Sequence, residues 1–292
     1  MELEKMITKT ELEKYLERLE NDGRSQDTIK NYDFYLTRFI AYIETNNITT
    51  DNCVEILEDY KAQLLHDRNL AKSSIKTEIE VVKRFLHSIG FDCSSVKTPK
   101  IEEAAPKYLS TEEVKKLIKA PDGIHETRDK AIIYLLYSSG LRVGELTRLN
   151  IEDINLSDGS IQIKRGKGGK ARPAFTDPIT IELIKAMLDG RADDNPALFL
   201  SRTGGRLSIR SVQRIVKNAA AKSGLPGDKV TPHKLRHSFA VHHLQMEGGL
   251  NIKEIQQLLG HKSLDTTMIY TKISDNGLKQ RYNDVHSRLI SN

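Results

Sequence analysis

Ser160-Ile-Gln-Ile-Lys-Arg-Gly-Lys-Gly-Gly-Lys-Ala-Arg-Pro-Ala-Phe175 is the stretch that decides the fold. Polar and apolar residues alternate from Ser160 to Lys164, a second short run spans Arg172 to Phe175, and the glycine-rich turn between them closes a β-hairpin. Ala197-Leu-Phe-Leu200 is a candidate third strand. On either side, apolar residues recur at three- and four-residue spacing, the signature of amphipathic helices. The fold class is therefore mainly α with a small β-sheet.

Upstream of the hairpin, residues 1–95 read as four helices. Thr10-x-x-Glu13 forms a capping box before a stripe of Leu12, Tyr15, Leu16 and Leu19, and Asn21-Asp-Gly23 stops it. Ile29, Tyr32, Leu36, Phe39 and Ile43 mark the second helix, and Val54, Leu57, Tyr60 and Leu64 the third. The fourth starts near Ser73 with Ile75, Ile79, Val82, Phe85 and Leu86, and Gly90 caps it. From Ser94 to Pro106 the periodicity lapses into Ser, Pro and charge, which predicts a linker over 96–107 and a second domain over 108–292. A chain of 292 residues is about twice the usual domain length, as two domains require.

The second domain restarts with a capping box, Ser110-x-x-Glu113, then an apolar helix through Ile132 and Leu136 that stops at Gly140. Beyond the hairpin, helices are predicted from Ser208, from Pro232 at a first-turn position, from Asn251 and from about Ser263. A polar helix closes the chain from near Gly277 to Ile290.

With 38% hydrophobic and 29% charged residues and a mean hydropathy of −0.47, the composition is that of a globular protein, not a disordered or membrane one. The longest aliphatic run, Ala131 to Tyr137, falls short of a membrane span, and the acidic start Met1-Glu-Leu-Glu-Lys lacks a secretory pattern. A cytoplasmic location follows as an expectation. Cys53 and Cys93 sit in no C-x-x-C pair and read as buried thiols. The net charge of +5 is unevenly spread: residues 1–105 hold 15 Lys+Arg against 20 Asp+Glu, leaving 30 against 20 for the rest. The excess cations, suited to a polyanion, belong to the second domain.

Four features there could carry chemistry. Arg142 follows a helix stop in Gly140-Leu-Arg-Val-Gly-Glu145; alone it reads as a surface or capping residue, with Glu145 an ordinary helix-face partner. The tract Lys164-Arg-Gly-Lys-Gly-Gly-Lys-Ala-Arg172 is either a solvated turn or a close approach to an anion. No P-loop pattern is present. His233-Lys-Leu-Arg236-His237 opens a helix. Its histidines have zinc spacing but no evident third ligand, whereas His233 and Arg236 on one face at a helix start suit a phosphate. Last comes Leu259-Gly-His261 with Tyr270, which in isolation reads as loop and packing.

In this order and spacing the features resemble the tyrosine recombinase (integrase) family. The family pattern is an arginine after a helix stop, a lysine in a hairpin turn, H-x-x-R, and L-G-H followed nine residues later by a tyrosine. Here these are Gly140-Leu-Arg142-x-x-Glu145, Gly166-Lys167-Gly168, His233-x-x-Arg236 and Leu259-Gly-His261 with Tyr270. Thr266-Thr267-x-x-Tyr270 and Ser25-x-x-Thr28-x-x-x-Tyr32 extend the likeness, which covers nearly the whole chain. Length and the lack of an added arm-binding domain are most like the Xer type, whose members resolve chromosome dimers.

The resemblance implies an N-terminal four-helix, SAM-like core-binding domain plus an α+β catalytic domain. It also implies cleavage and rejoining of duplex DNA at a specific site through a 3′-phosphotyrosyl intermediate, by four protomers and with no metal, ATP or other cofactor. Tyr270 is then the nucleophile, Lys167 the general acid, and Arg142, Arg236, His233 and His261 the phosphate donors, with Glu145 in support. The C-terminal helix would dock on a neighbour. Candidate DNA contacts are Lys72, Lys76 and Lys83 on the fourth helix and Lys164, Lys170 and Arg172 in the hairpin. A mobile-element integrase shares this active site, and a type IB topoisomerase-like enzyme shares its chemistry.

Overall fold

The computed structural model describes residues 7–46, 48, 52–67, 70–101, 108–164, 172–227, 230–246 and 249–260. The chain divides into two compact units, Met1–Glu103 and Ala104–Asn292.

The first unit holds α1 (Lys9–Asn21), α2 (Gln26–Thr45), α3 (Cys53–His66) and α4 (Lys72–Ser88). Each apolar stripe becomes core: Leu12, Tyr15, Leu36, Phe39, Leu57, Tyr60, Ile79, Phe85 and Leu86 are all buried. The α1 cap is Thr8, whose hydroxyl accepts from Glu11 N, two residues earlier than the Thr10 box predicts. The same T-x-x-E spacing recurs there, so both registers satisfy the sequence rule. Ser25 and Asn52 cap α2 and α3. Among the described residues one charge enters this core: Glu78 on α4 is fully buried, accepting from Arg38 Nε at 2.8 Å and from the Tyr60 hydroxyl. Cys53 and Cys93 are buried, free thiols. Val96, at the start of the predicted linker, is only 1% exposed and packs with this unit.

The second unit runs α5 (Thr111–Lys119), α6 (Glu126–Ser139), α7 (Val143–Arg148), β1 (Ser160–Ile163), β2 (Arg172–Phe175), α8 (Pro178–Asp189), α9 (Ile209–Lys222), α10 (Pro232–Gln245) and α11 (Ile252–Leu259). Ser110 and Glu113 close the predicted capping box on α5, and a 3-10 turn at Gly123–His125 separates it from the more apolar α6. The strands pair antiparallel, Ile161 opposite Ala174 and Ile163 opposite Arg172, turning Ile161, Ile163 and Ala174 into the core. The third strand is not formed. Ala197 and Leu200 make single bridges to Asn150 and Arg206, because the chain turns at Leu198 and Phe199 to bury both side chains.

Helix α6 runs through the centre of this unit, packed by α5, α8 and α10. It ends at Gly140, whose φ of 60° and close neighbours admit no side chain: a Cβ there would lie 2.7 Å from Phe239 Cδ1 and 2.9 Å from Leu259 Cδ2. That crossing sets the ends of α6 and α11 against the flank of α10. Among the described residues no helix is long and apolar enough to cross a membrane.

Candidate functional site

Glu145 lies where those helix ends meet. It is the third residue of α7, and its Oε2 accepts the backbone amide of Arg142 at 2.8 Å, closing the first turn. Its Oε1 takes the Arg142 guanidinium at 3.0 Å. Arg172, reaching over from β2, donates to Oε2 at 2.7 Å, and Arg236 from α10 lies 3.9 Å from the same oxygen. One carboxylate, 1% exposed, thus sits among three guanidinium groups. Burial pushes its acid strength down, but the Arg172 charge, the Arg142 amide and the charges of Arg142 and Arg236 outweigh it and hold the carboxyl below the usual range. The ion pair that the sequence shows on a helix face is in fact the centre of the cluster.

The three arginines differ. Arg142 keeps 35% of its side chain exposed. Arg236, at 3%, donates 2.6 Å bonds to the carbonyls of Gly140 and Leu259, the residues that end α6 and α11. Arg172 bonds the carbonyl of Leu258 besides Glu145, and burial lowers its pKa. Arg172 is therefore not on an open basic face, where a DNA contact would place it, but inside the cluster.

His233 stands on the exposed first turn of α10, after Thr231 caps the helix through Lys234 N and Pro232 fills its first position. Its Nε2 is 2.8 Å from His237 Nε2, so the zinc-spaced pair is joined by a direct hydrogen bond. Partial desolvation, then the charges of Arg236 and Arg142, lower the His233 pKa. Desolvation, His233 and Arg236 bring that of His237 to about 4. Both rings are neutral at pH 7, and His233 can accept a proton.

Of the other sequence-predicted residues, Lys167, Lys170, His261 and Tyr270 lie outside the described residues, as do the helices predicted from Ser263 and over Gly277 to Ile290. Lys164 is exposed, its ammonium 2.6 Å from Glu152 and 2.7 Å from Asp153. In the first unit Lys72 and Lys76 are exposed on the first turns of α4. Lys83 is not available in the same way: it donates to the carbonyls of Ser94 at 3.2 Å and Val96 at 2.9 Å, tying down the chain after α4. Sequence reasoning missed the Arg172–Glu145 bond and the carbonyl acceptors of Arg236. Their only trace is an arginine opposite Ile163 in a hairpin whose partners lie far along the chain.

Comparison with known proteins bears on the family and the fold. The phage integrase family matches residues 107–276, and the phage integrase N-terminal SAM-like domain matches residues 12–89. Tyrosine recombinase XerA of Pyrococcus furiosus is 38% identical over 283 residues, covering 95% of this chain and 94% of its own length. Tyrosine recombinase XerC of Psychromonas ingrahamii is 35% identical over 285 residues, covering 91% and 92%. A XerA recombinase crystal structure aligns with a TM-score of 0.56 at 32% identity over 94% of this chain and 97% of that one. XerH in a post-cleavage complex with a palindromic difH substrate shares the fold, with a TM-score of 0.73 at 22% identity over 94% and 84%. With the catalytic model over more than half its length and such relatives from end to end, this chain belongs to the phage integrase family of tyrosine recombinases, enzymes that transfer DNA strands.

Proposed function

We propose that this recombinase cuts and rejoins duplex DNA at a specific site through Tyr270, in the Xer manner, and that its cellular task is chromosome dimer resolution in the cytoplasm. The observation that carries the reading is Arg142, held by Glu145 through its guanidinium at one carboxylate oxygen and its backbone amide at the other, with 35% of its side chain still exposed. A phosphodiester is anionic, and its pentavalent transition state gathers further charge on the non-bridging oxygens. Donors already held in place stabilise that charge without reorganising, each typically by about 2.7–4 kcal/mol. Arg142 offers the exposed fork, Arg236 adds buried charge behind it, and His261 is the further donor.

The Tyr270 oxygen attacks phosphorus and the 5′ oxygen leaves, giving a 3′-phosphotyrosyl DNA and a free 5′-hydroxyl. A tyrosine, with a pKa of about 10, must lose its proton as it attacks. Neutral His233 assists, and Lys167 protonates the leaving oxygen. The bond energy stays in the phosphotyrosyl link, so rejoining requires neither ATP nor metal. Exchange between two duplexes calls for four protomers, with Gly277–Ile290 docking on a neighbour. Full-length similarity to proteins named XerA and XerC supports the chromosomal role.

The test uses sheared genomic DNA of the source organism. Fragments left covalently attached after SDS denaturation are sequenced, and the recovered segment is placed once or twice in a supercoiled plasmid. One chromosomal locus and recombinants from the two-copy plasmid alone support the proposal. Loci at mobile-element ends contradict the chromosomal role, and relaxation of both plasmids without recombinants contradicts recombination.

A further inference from the structure

We propose that Arg172 is a positioning residue for strand transfer: its guanidinium joins the hairpin strand to Glu145 and to the end of α11, the turn from which the chain runs on to His261 and Tyr270. The proposal rests on the reading of the Glu145 cluster as the phosphate site.

The last carbonyls of a helix have no partners within it and must find donors elsewhere. Here two consecutive ones are taken by arginines: Leu258 O by Arg172 and Leu259 O by Arg236 at 2.6 Å. Both arginines also address Glu145 Oε2, at 2.7 and 3.9 Å. The end of α11 is thereby set against the carboxylate that orients Arg142.

The next residue fits the same arrangement. Gly260 has a φ of 62°, and a Cβ on it would lie 2.6 Å from Arg172 Cδ and 3.0 Å from Nε. The Arg172 side chain runs across the bare backbone of the residue before His261. Only a planar fork can reach the carboxylate with one nitrogen and the carbonyl with the other; an ammonium is a single point. The fit is costly, since Arg172 Nε is buried and finds no acceptor among the described residues. A donor left in that state points to a geometry fixed by the two acceptors and not by Arg172's own comfort.

Two measurements test this. Amide hydrogen exchange on the full chain without DNA should show Arg172→Gln opening the 252–260 segment about 10- to 100-fold faster, the worth of one charged hydrogen bond, with α5 and α9 unchanged. Single-turnover adduct formation on a nicked duplex of the genomic segment should slow about 100-fold, as misplacement of roughly 1 Å does, while affinity for that duplex stays within about threefold. Arg172→Lys keeps a charge beside Glu145 but not the second bond, so it too should exchange fast and cleave slowly. Gly260→Ala, which displaces the guanidinium without removing it, should do the same.

Restored cleavage in Arg172→Lys would overturn the proposal in favour of simple charge balance. Affinity falling as far as cleavage would make Arg172 a phosphate contact instead. Unchanged exchange in Arg172→Gln would refute the joint itself. A wild type that forms no adduct on any genomic fragment would refute the strand-transfer reading while leaving the exchange result to decide the joint.

Discussion

Glu145 holds Arg142 twice, taking its backbone amide on one carboxylate oxygen at 2.8 Å and its guanidinium on the other at 3.0 Å. The N-cap of α7, Arg142, is thus held at both its backbone and its side chain by the helix's third residue. Glu145→Gln leaves Arg142, Arg172 and Arg236 without their shared anion. Removing one partner of a buried ion pair costs about 3–5 kcal/mol, so urea unfolding of the second unit should shift by that order. Cleavage should fall further than stability alone explains when measured well below the unfolding transition.

Arg236→Lys tests a different claim. The guanidinium spans the carbonyls of Gly140 and Leu259, and an ammonium cannot hold both. Adduct formation should drop roughly 10²- to 10³-fold, as loss of a preorganised donor does. Conservation of charge makes no difference to this expectation, and near-normal cleavage by the lysine variant would contradict it.

The His233–His237 pair gives a pH dependence with a definite sign. Burial, with the charges of His233 and Arg236, lowers the His237 pKa to about 4 from the ordinary 6.5. As pH falls below about 6.5 the unfolded chain takes up the proton first, so stability declines between about pH 6.5 and 4 and then levels for this group. The Glu145 carboxylate, held below its usual range, adds a further loss at lower pH. Urea midpoints across pH 4–8 read this directly, and His237→Gln should flatten the upper part of the slope.

In the first unit the test is Glu78. Its carboxylate, fully buried against Arg38 and Tyr60, crosses from α4 to α2 and α3. Glu78→Ala should destabilise the unit by about 3–5 kcal/mol, whereas the paired change Glu78→Leu with Arg38→Met should recover much of it. Chemical denaturation of the three proteins makes the comparison.

Much of this was legible beforehand because it is local. Ser110, Pro232 and Asn251 announce their helices, Gly140 its helix stop, and the alternation at Ile161 and Ile163 its strand. Thr8 displaced Thr10 because two overlapping T-x-x-E registers satisfy the same cap. Ala197–Leu200 failed as a strand because an apolar run of four is equally served by a buried turn. Family spacing picks out Arg142, Glu145 and Arg236 singly, but not their meeting with Arg172 around one carboxylate. Nothing near Arg172 in sequence says that Glu145, 27 residues earlier, and Leu258, 86 later, will share its guanidinium. Lys83 shows the same limit in reverse: charge on a helix looks available until the fold supplies a carbonyl.

The most direct test of the central claim is covalent capture on sheared genomic DNA, followed by peptide mapping of the linked residue. The wild type should yield an SDS-resistant adduct joined through Tyr270 to a 3′ phosphate, with a free 5′-hydroxyl on the partner end. Tyr270→Phe should yield none. An adduct that persists in Tyr270→Phe, or maps to another residue or to a 5′ phosphate, would contradict the account.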